Sequence, residues 1–443
     1  MPDDLRSSAL AGETLALTQA QLGVLQGQQM AGDQSVFHAA ECVELSGSLE
    51  TEAFEQALRN TLLEARPLHV RVFEQNGRFQ QQLVEPRADT LYFRDLSGPD
   101  SELRFETELR EALATPFDAD NGRLFEHRLY KLDAQRHVWL HRAHHLLLDG
   151  YGFQLVTRRV AARYAALRAG SDCAAASFGD LRAVVAADVA YQQSADREAD
   201  RRFWLETLAG LQPPSLSRSP SPGIGRGRRH GGTLAGGTSA RVKSLAAEFG
   251  LSWPELLIAG FAGYLGVHGD SNESGRDVVI GLPIMQRLGG PASRTPCTAM
   301  NVMPLPVPRA GEQALPKLAS AVRENLQRLR PHARYRFEHL EGDLEAAGYA
   351  RGLLATEINV MPFEHPSRFG DCRAQTRILA AGPVEDLAAI FIARADDIGF
   401  DLDGRPQNYT PAELATHWSG FGDFLAGWLD EPWSSAQRIG APR

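Results

Sequence analysis

The sequence predicts a mixed α/β protein built as two lobes, and three observations carry that expectation. At 443 residues the chain outgrows a single ordinary core. Both halves mix runs of helical period with runs of alternating period. No short repeat subdivides the chain, so two lobes of similar α/β build are expected, divided as residues 1–177 and 178–443.

Along the chain, Thr18 to Met30 predicts a short helix, and "AAECVELSGSLE" a strand ending at Ser46-Gly47. Leu49 to Leu63 places Phe54, Leu58 and Leu62 on one helix face. "LHVRVFEQNGRFQQQLVE" predicts a hairpin turning at Asn76-Gly77, a pair suited to positive φ. A second strand pair spans Leu124–Leu132 and His137–His145. After Gly152 the period changes, with Phe153, Val156, Val160, Tyr164 and Leu167 spaced by three and four. Residues 168–180 predict a connector, and helical sequence runs from about Leu181 to Leu208. The Ser/Pro/Gly/Arg-rich segment 213–232 predicts a mobile loop with a solvated RGRRH run. Helices are expected near 238–249 and 252–267, and a closing helix at Leu414–Leu429. Strands are expected at Asp277–Leu282, Met300–Val307, Thr356–Met361, Gln375–Ala380 and Leu387–Ala393.

Composition narrows the function classes. A net charge of −9 argues against nucleic acid as the main partner, because phosphate binding needs a basic surface. The four cysteines (Cys42, Cys173, Cys297, Cys372) form no CxxC and no disulfide framework, which fits a reducing cytoplasm. The N-terminus lacks the basic start and apolar run of a signal peptide, and no stretch reaches the length of a membrane span.

One stretch carries chemistry: "HRAHHLLLDGYGF", residues 141–153. It sits where strand period gives way to helix period, a corner that presents side chains into a cleft. If the strand runs to residue 145, His144 and His145 point to opposite faces and do different jobs. A metal site is a poor fit, since adjacent strand histidines diverge and no HExxH or cysteine cluster completes a set. A capped strand end with buried, hydrogen-bonded histidines is the structural reading. Acyl transfer is the chemical one. There a histidine takes a proton from an attacking nucleophile or orients it, Asp149 organises the turn, and Gly150 permits close approach.

HHxxxDG, read here as His144, His145, Asp149 and Gly150, resembles the core motif of condensation domains of nonribosomal peptide synthetases. The resemblance covers nearly the whole chain. "LTQAQLGVLQGQQM" is similar to the family's first motif and "DREADRRFWLETLAGL" to the helix ending in a tryptophan. "IGLPIMQRLGG" with "RTPCTAMNVMPLPV" is similar to the fifth motif, with Arg287 and Asn301, and "RYRFEHLEGDL" to the sixth. "INVMPFE" with "GPVEDLAAIFIARADD" is similar to the seventh region of siderophore-synthase-type domains. The first motif departs from the family pattern at Leu22 and Leu25, and the second at His69. The intact histidines separate the chain from heterocyclisation domains, and the C-terminal motifs separate it from epimerisation domains.

The resemblance implies two chloramphenicol-acetyltransferase-like lobes in a V with a central tunnel. It implies amide formation between a donor thioester and the amine of an acceptor aminoacyl thioester, each presented on the 4′-phosphopantetheine arm of a peptidyl or aryl carrier protein, as in antibiotic and siderophore biosynthesis. No cofactor is expected to be bound by the domain itself, and no metal. His145 is implied as the active-site histidine, Asp149 as the structural partner of Arg287, and Asn359 as a cleft asparagine; Asn301 is assigned to local backbone support. The expected setting is a monomeric cytoplasmic domain, free-standing or excised, with an adenylation domain of the same synthetase as a further neighbour and no membrane. Two alternatives stay open: a stand-alone acyltransferase using coenzyme A or a free amine, and an inactive domain that only docks carriers.

Overall fold

A computed structural model of the chain describes residues 13–86, 91–117, 123–173, 178–209, 211, 216, 223–234, 237–269, 277–348, 352–363, 365–394 and 397–441. It is a mixed α/β structure dividing into two compact units. The first comprises residues 1–193, 285–300 and 365–382, and the second residues 194–284, 301–364 and 383–443. This differs from a single cut at 177/178, because two later segments return to the first unit. Strand pairing draws the later of them back: Cys372–Ala381 runs antiparallel beside His38–Ser46, with Arg377 opposite Cys42.

The first unit holds a six-stranded sheet in the order Arg368–Phe369, Cys372–Ala381, His38–Ser46, Arg136–His144, Phe125–Lys131, Tyr92–Asp95. Its strands pair antiparallel except the last two, which are parallel. The helices Thr51–Glu64 and Gly150–Arg168 cover one face. Phe54, Leu58, Leu62, Phe153, Val156 and Val160 interlock there with Val43, Leu45, Trp139 and Ala143. The expected hairpin forms as Val70–Gln75 and Arg78–Leu83, with Asn76 at φ 53° and Gly77 at φ 72°.

The second unit's sheet runs Met300–Val307, Val278–Met285, Thr356–Met361, Leu387–Ala393, Ile398–Gly404, Arg228–Thr233. The apolar helix Trp253–His268 packs into its core, which explains a hydrophobic stretch interrupted by Pro254 and Glu255 at its first turn. Glu255 closes a capping box with Ser252. Among the described residues, no helix is long and apolar enough to cross a membrane.

One expectation is refined and one needs correction. The stretch 181–208 is two helices, Leu181–Gln192 and Ala195–Leu208. Ser194 takes an extended conformation between them, and Asp196 and Glu198 favour a fresh N-terminus. In the segment 213–232, residues 223–232 are not a mobile loop: Gly225–Arg226 pairs with Pro383–Val384, and Arg228–Thr233 forms the sheet edge. Arg229 is clamped on Asp403, and a Cβ at Gly231 would lie 1.9 Å from Asp401 Oδ1. A glycine and arginine content that reads as loop is here the fit to an acidic neighbouring strand. Residues 213–215 and 217–222 lie outside the described residues. The helices Ser101–Ala114, Leu315–Leu329 and Phe337–Ala346 were not among the expected elements.

Candidate active site

The HHxxxDG corner lies wholly in the first unit. Its strand ends at His144, and residues 145–147 form a turn before the helix that starts at Gly150. The ladder still reaches one residue further, because the His145 N–H donates to Phe37 O at 2.7 Å. The two imidazoles part company at this point.

His144 is locked. Its Nδ1 accepts from the Leu146 N–H at 3.1 Å, so Nε2 carries the proton and donates to Gln28 Oε1 at 2.8 Å. The rings of His38 and Phe117 stand edge-on to it. Burial, with His38 and His145 adding to it, pushes its pKa down to about 3. A neutral ring with both nitrogens engaged is a structural member of the corner.

His145 differs. The residue is 7% exposed, and among the described residues no neighbouring side chain hydrogen-bonds its ring; Nδ1 has only its own carbonyl nearby, off hydrogen-bond geometry. Burial lowers its pKa below the usual histidine value, with that carbonyl and Asp149 opposing the shift. The ring is therefore neutral at pH 7 and has basic capacity that structure does not consume.

Asp149 organises the turn. It is the N-cap of the helix Gly150–Arg168, and its Oδ1 accepts from the Gly152 N–H at 2.9 Å. The same oxygen accepts from Arg287 Nη2 at 2.6 Å, and Oδ2 accepts from the Ala299 N–H at 2.9 Å. Arg287 is equally buried, and its two Nη groups also donate to the carbonyls of Ala292 (2.6 Å), Thr295 (2.9 Å) and Cys297 (2.6 Å). Burial alone would lower the pKa of this guanidinium, but the Asp149 carboxylate more than offsets it and holds the pKa above its ordinary value. The guanidinium also lies 5.1 Å from the centre of the Tyr151 ring. Segment 285–300 is thus buckled onto the motif by a buried ion pair whose guanidinium also holds three backbone carbonyls.

Gly150 is the first residue of the helix and half-buried. The crowded glycine is Gly152, where a Cβ would come within 2.8 Å of Leu148 Cδ2 and 3.0 Å of Cys297 O. Asn301 and Asn359 belong to the second unit. Asn301 is spent on backbone: Nδ2 donates to Ala333 O and Tyr335 O at 2.8 Å each, and Oδ1 accepts from the Phe337 N–H at 3.1 Å. Asn359 sits half-buried in Thr356–Met361, in register with Ile390. Among the described residues its amide makes no side-chain hydrogen bond.

Sequence reasoning missed three supports. Gln28 sits in the helix Gln19–Ala31, Thr298 donates to the His145 carbonyl, and Gly382 packs against the His145 ring. Gln28 and Thr298 stand inside motif-like stretches, and Gly382 opens GPVEDL, but nothing in the string marks whom they touch. Among the described residues no group of three or more His, Cys, Asp or Glu is arranged to hold a metal ion.

Comparison with known proteins agrees with this architecture. The family model described as "Condensation domain" matches residues 11–426. The chain is 34% identical over 407 residues to a dimodular nonribosomal peptide synthase of Bacillus subtilis (strain 168), covering 91% of this chain and 17% of that protein. It is 32% identical to an isonitrile lipopeptide synthase of Streptomyces coeruleorubidus, covering 90% of this chain and 27% of that one. With enterobactin synthase component F of Escherichia coli (strain K12) the identity is 29%, covering 91% and 31%. The chain therefore spans less than a third of the length of these curated relatives. Among solved structures, the first condensation domain of the CDA synthetase superposes with a TM-score of 0.89 at 27% identity, covering 96% of this chain and 98% of that one. The starter condensation domain of rhizomide synthetase RzmA, in a mutant form in complex with C8-CoA, gives 0.86 at 29%, covering 96% of each. With the motif corner, the mixed α/β fold and these matches in agreement, the chain belongs to the condensation-domain family of nonribosomal peptide synthetases, acyltransferases that form amide bonds.

Proposed function

We propose that this domain joins a carrier-bound donor acyl thioester to the amine of a carrier-bound acceptor aminoacyl thioester, with His145 at the reacting centre. The acceptor nitrogen attacks the thioester carbonyl, a C–N bond forms and the C–S bond breaks. The amine gives up a proton and the leaving sulfur recovers one. His145 is the group that takes or steers that proton; Asp149 and Arg287 hold the corner on which it stands. Asn359 is a candidate for contact with the substrates. The observation that carries this reading is the contrast between the two histidines: one has both nitrogens engaged, and the other is buried, neutral and, among the described residues, not hydrogen-bonded by any neighbouring side chain.

The partners are donor and acceptor carrier proteins bearing 4′-phosphopantetheine, with an adenylation domain of the same synthetase nearby, in the cytoplasm. The domain works as a single copy. Presentation on a docked carrier raises the local thioester concentration, with gains of about 10²–10⁴. A second reading has one observation in its favour: a structural relative is in complex with C8-CoA, so a coenzyme A thioester could be the natural donor.

The test compares matched acyl and aryl donors on a holo carrier and on coenzyme A, against a carrier-bound aminoacyl acceptor, with product read by mass spectrometry. The expected result is much faster turnover from the carrier, lowered about 10²-fold or more in His145→Ala with the fold retained. Equal rates from both donors favour the coenzyme A reading. Carrier binding without any product points to a docking-only domain, and unchanged turnover in His145→Ala removes that residue from the chemistry.

A further inference from the structure

We propose that Gly382 is a positioning residue for His145, its backbone forming the wall against which the Cδ2–Nε2 edge of the imidazole is seated. The inference rests on the reading that His145 serves the reaction.

Three observations support it. A Cβ built on Gly382 would fall 3.0 Å from His145 Cδ2 and 3.3 Å from Nε2, closer than side-chain carbons ordinarily approach. The ring therefore occupies the space beside Gly382 that only a residue without a side chain leaves open. Gly382 also has φ +102°, outside the range that residues with a side chain adopt comfortably. Finally, the ring has no competing anchor. His144 is held by two hydrogen bonds, whereas no neighbouring side chain among the described residues bonds the His145 ring. Orientation that hydrogen bonds do not fix is left to packing, and Gly382 supplies the packing at the edge that carries Nε2.

The strand leading to Gly382 is shaped for this approach. Cys372–Ala381 pairs regularly with His38–Ser46 up to Ile378, then shifts register before Ala380. Such an irregularity bends a strand and re-aims its remaining residues. Pro383 then restricts the conformations open to the residue before it. Bulge, glycine and proline together deliver bare backbone to the imidazole.

A methyl group at 382 displaces the ring, and misplacement of a reacting group by about 1 Å costs roughly 10² in rate. The test uses the 443-residue chain with isotope-labelled histidine, the His145 ring resonance being assigned by its loss in His145→Ala. In Gly382→Ala that resonance and its titration are expected to move while the His144 resonance stays. With C8-CoA and with a carrier-bound donor, kcat is expected to fall roughly 10²-fold with KM changed little. A wild-type His145 resonance in folded Gly382→Ala overturns the proposal. Where Gly382→Ala does not fold, Pro383→Ala loosens the same contact without adding an atom at 382, and a wild-type His145 resonance there overturns it equally. The two readings fail separately. An active His145→Ala sinks the role of the histidine, whereas an inactive His145→Ala beside a fully active Gly382→Ala sinks only the positioning role.

Discussion

Asp149 satisfies three donors with two oxygens while capping a helix, and Arg287 brings together three carbonyls and that carboxylate. Neither charge is exposed enough for water to replace a missing partner. Asp149→Ala is therefore expected to cost about 3–5 kcal/mol, as for a buried pair broken from one side. Arg287→Ala should cost a similar amount by leaving the carboxylate unpaired. The double variant should cost clearly less than the sum of the two, because the second substitution removes a charge the first had already stranded. Urea denaturation of the three variants measures the coupling, and additive losses would show that the two residues act independently.

Among the secondary-structure elements, the helix Gly150–Arg168 starts in a space with no room to spare. Its cap, the Leu148 side chain and the Cys297 carbonyl all crowd Gly152. Gly152→Ala should destabilise, since overpacking costs about 1–3 kcal/mol and alanine recovers little in a first helical turn. Gly342 supplies the opposite case within the helix Phe337–Ala346, where a Cβ would meet nothing within 4 Å. Gly342→Ala should stabilise by up to about 1 kcal/mol. Thermal melts of the two variants should shift in opposite directions; shifts of the same sign would mean that the crowding at Gly152 relaxes freely.

For the protein taken as one body, burial sets the response to acid. On the helix-covered face of the first sheet, Glu41, His141 and His127 stand in one cross-strand row. Burial pushes His127 down to about 3 and holds His141 well below its ordinary value, so both are neutral in the fold. Unfolded, they would take up protons from about pH 6.5 downward, so the stability they permit is complete above that pH and is lost as pH falls toward 3. Glu41, raised by burial from 4.5 to about 8, works in the opposite sense, its contribution being lost as pH rises between those values. Comparing His127→Phe with the wild type isolates the histidine. The variant should lose about 2 kcal/mol less between pH 7 and pH 5, read from urea midpoints. Equal losses would mean that His127 is protonated within the fold.

Residue order alone was enough to mark many of the periodic elements, though not the helices Ser101–Ala114, Leu315–Leu329 and Phe337–Ala346, and to mark the strand-to-helix corner at Asp149–Gly150. These depend on neighbours a few positions apart, whose spacing decides which face is apolar and which side chain can cap. The succession of motifs along the chain was also enough to indicate the family. Three features were invisible until the chain was folded: residues 285–300 and 365–382 return to the first unit, Arg228–Thr233 is a strand, and Gly382 meets His145. The same holds for which histidine is bound and which is not. Each of these turns on a partner tens to hundreds of residues away, such as Gln28 for His144 and Asp403 for Arg229. Such partners are chosen by strand pairing and close packing, which local composition does not encode.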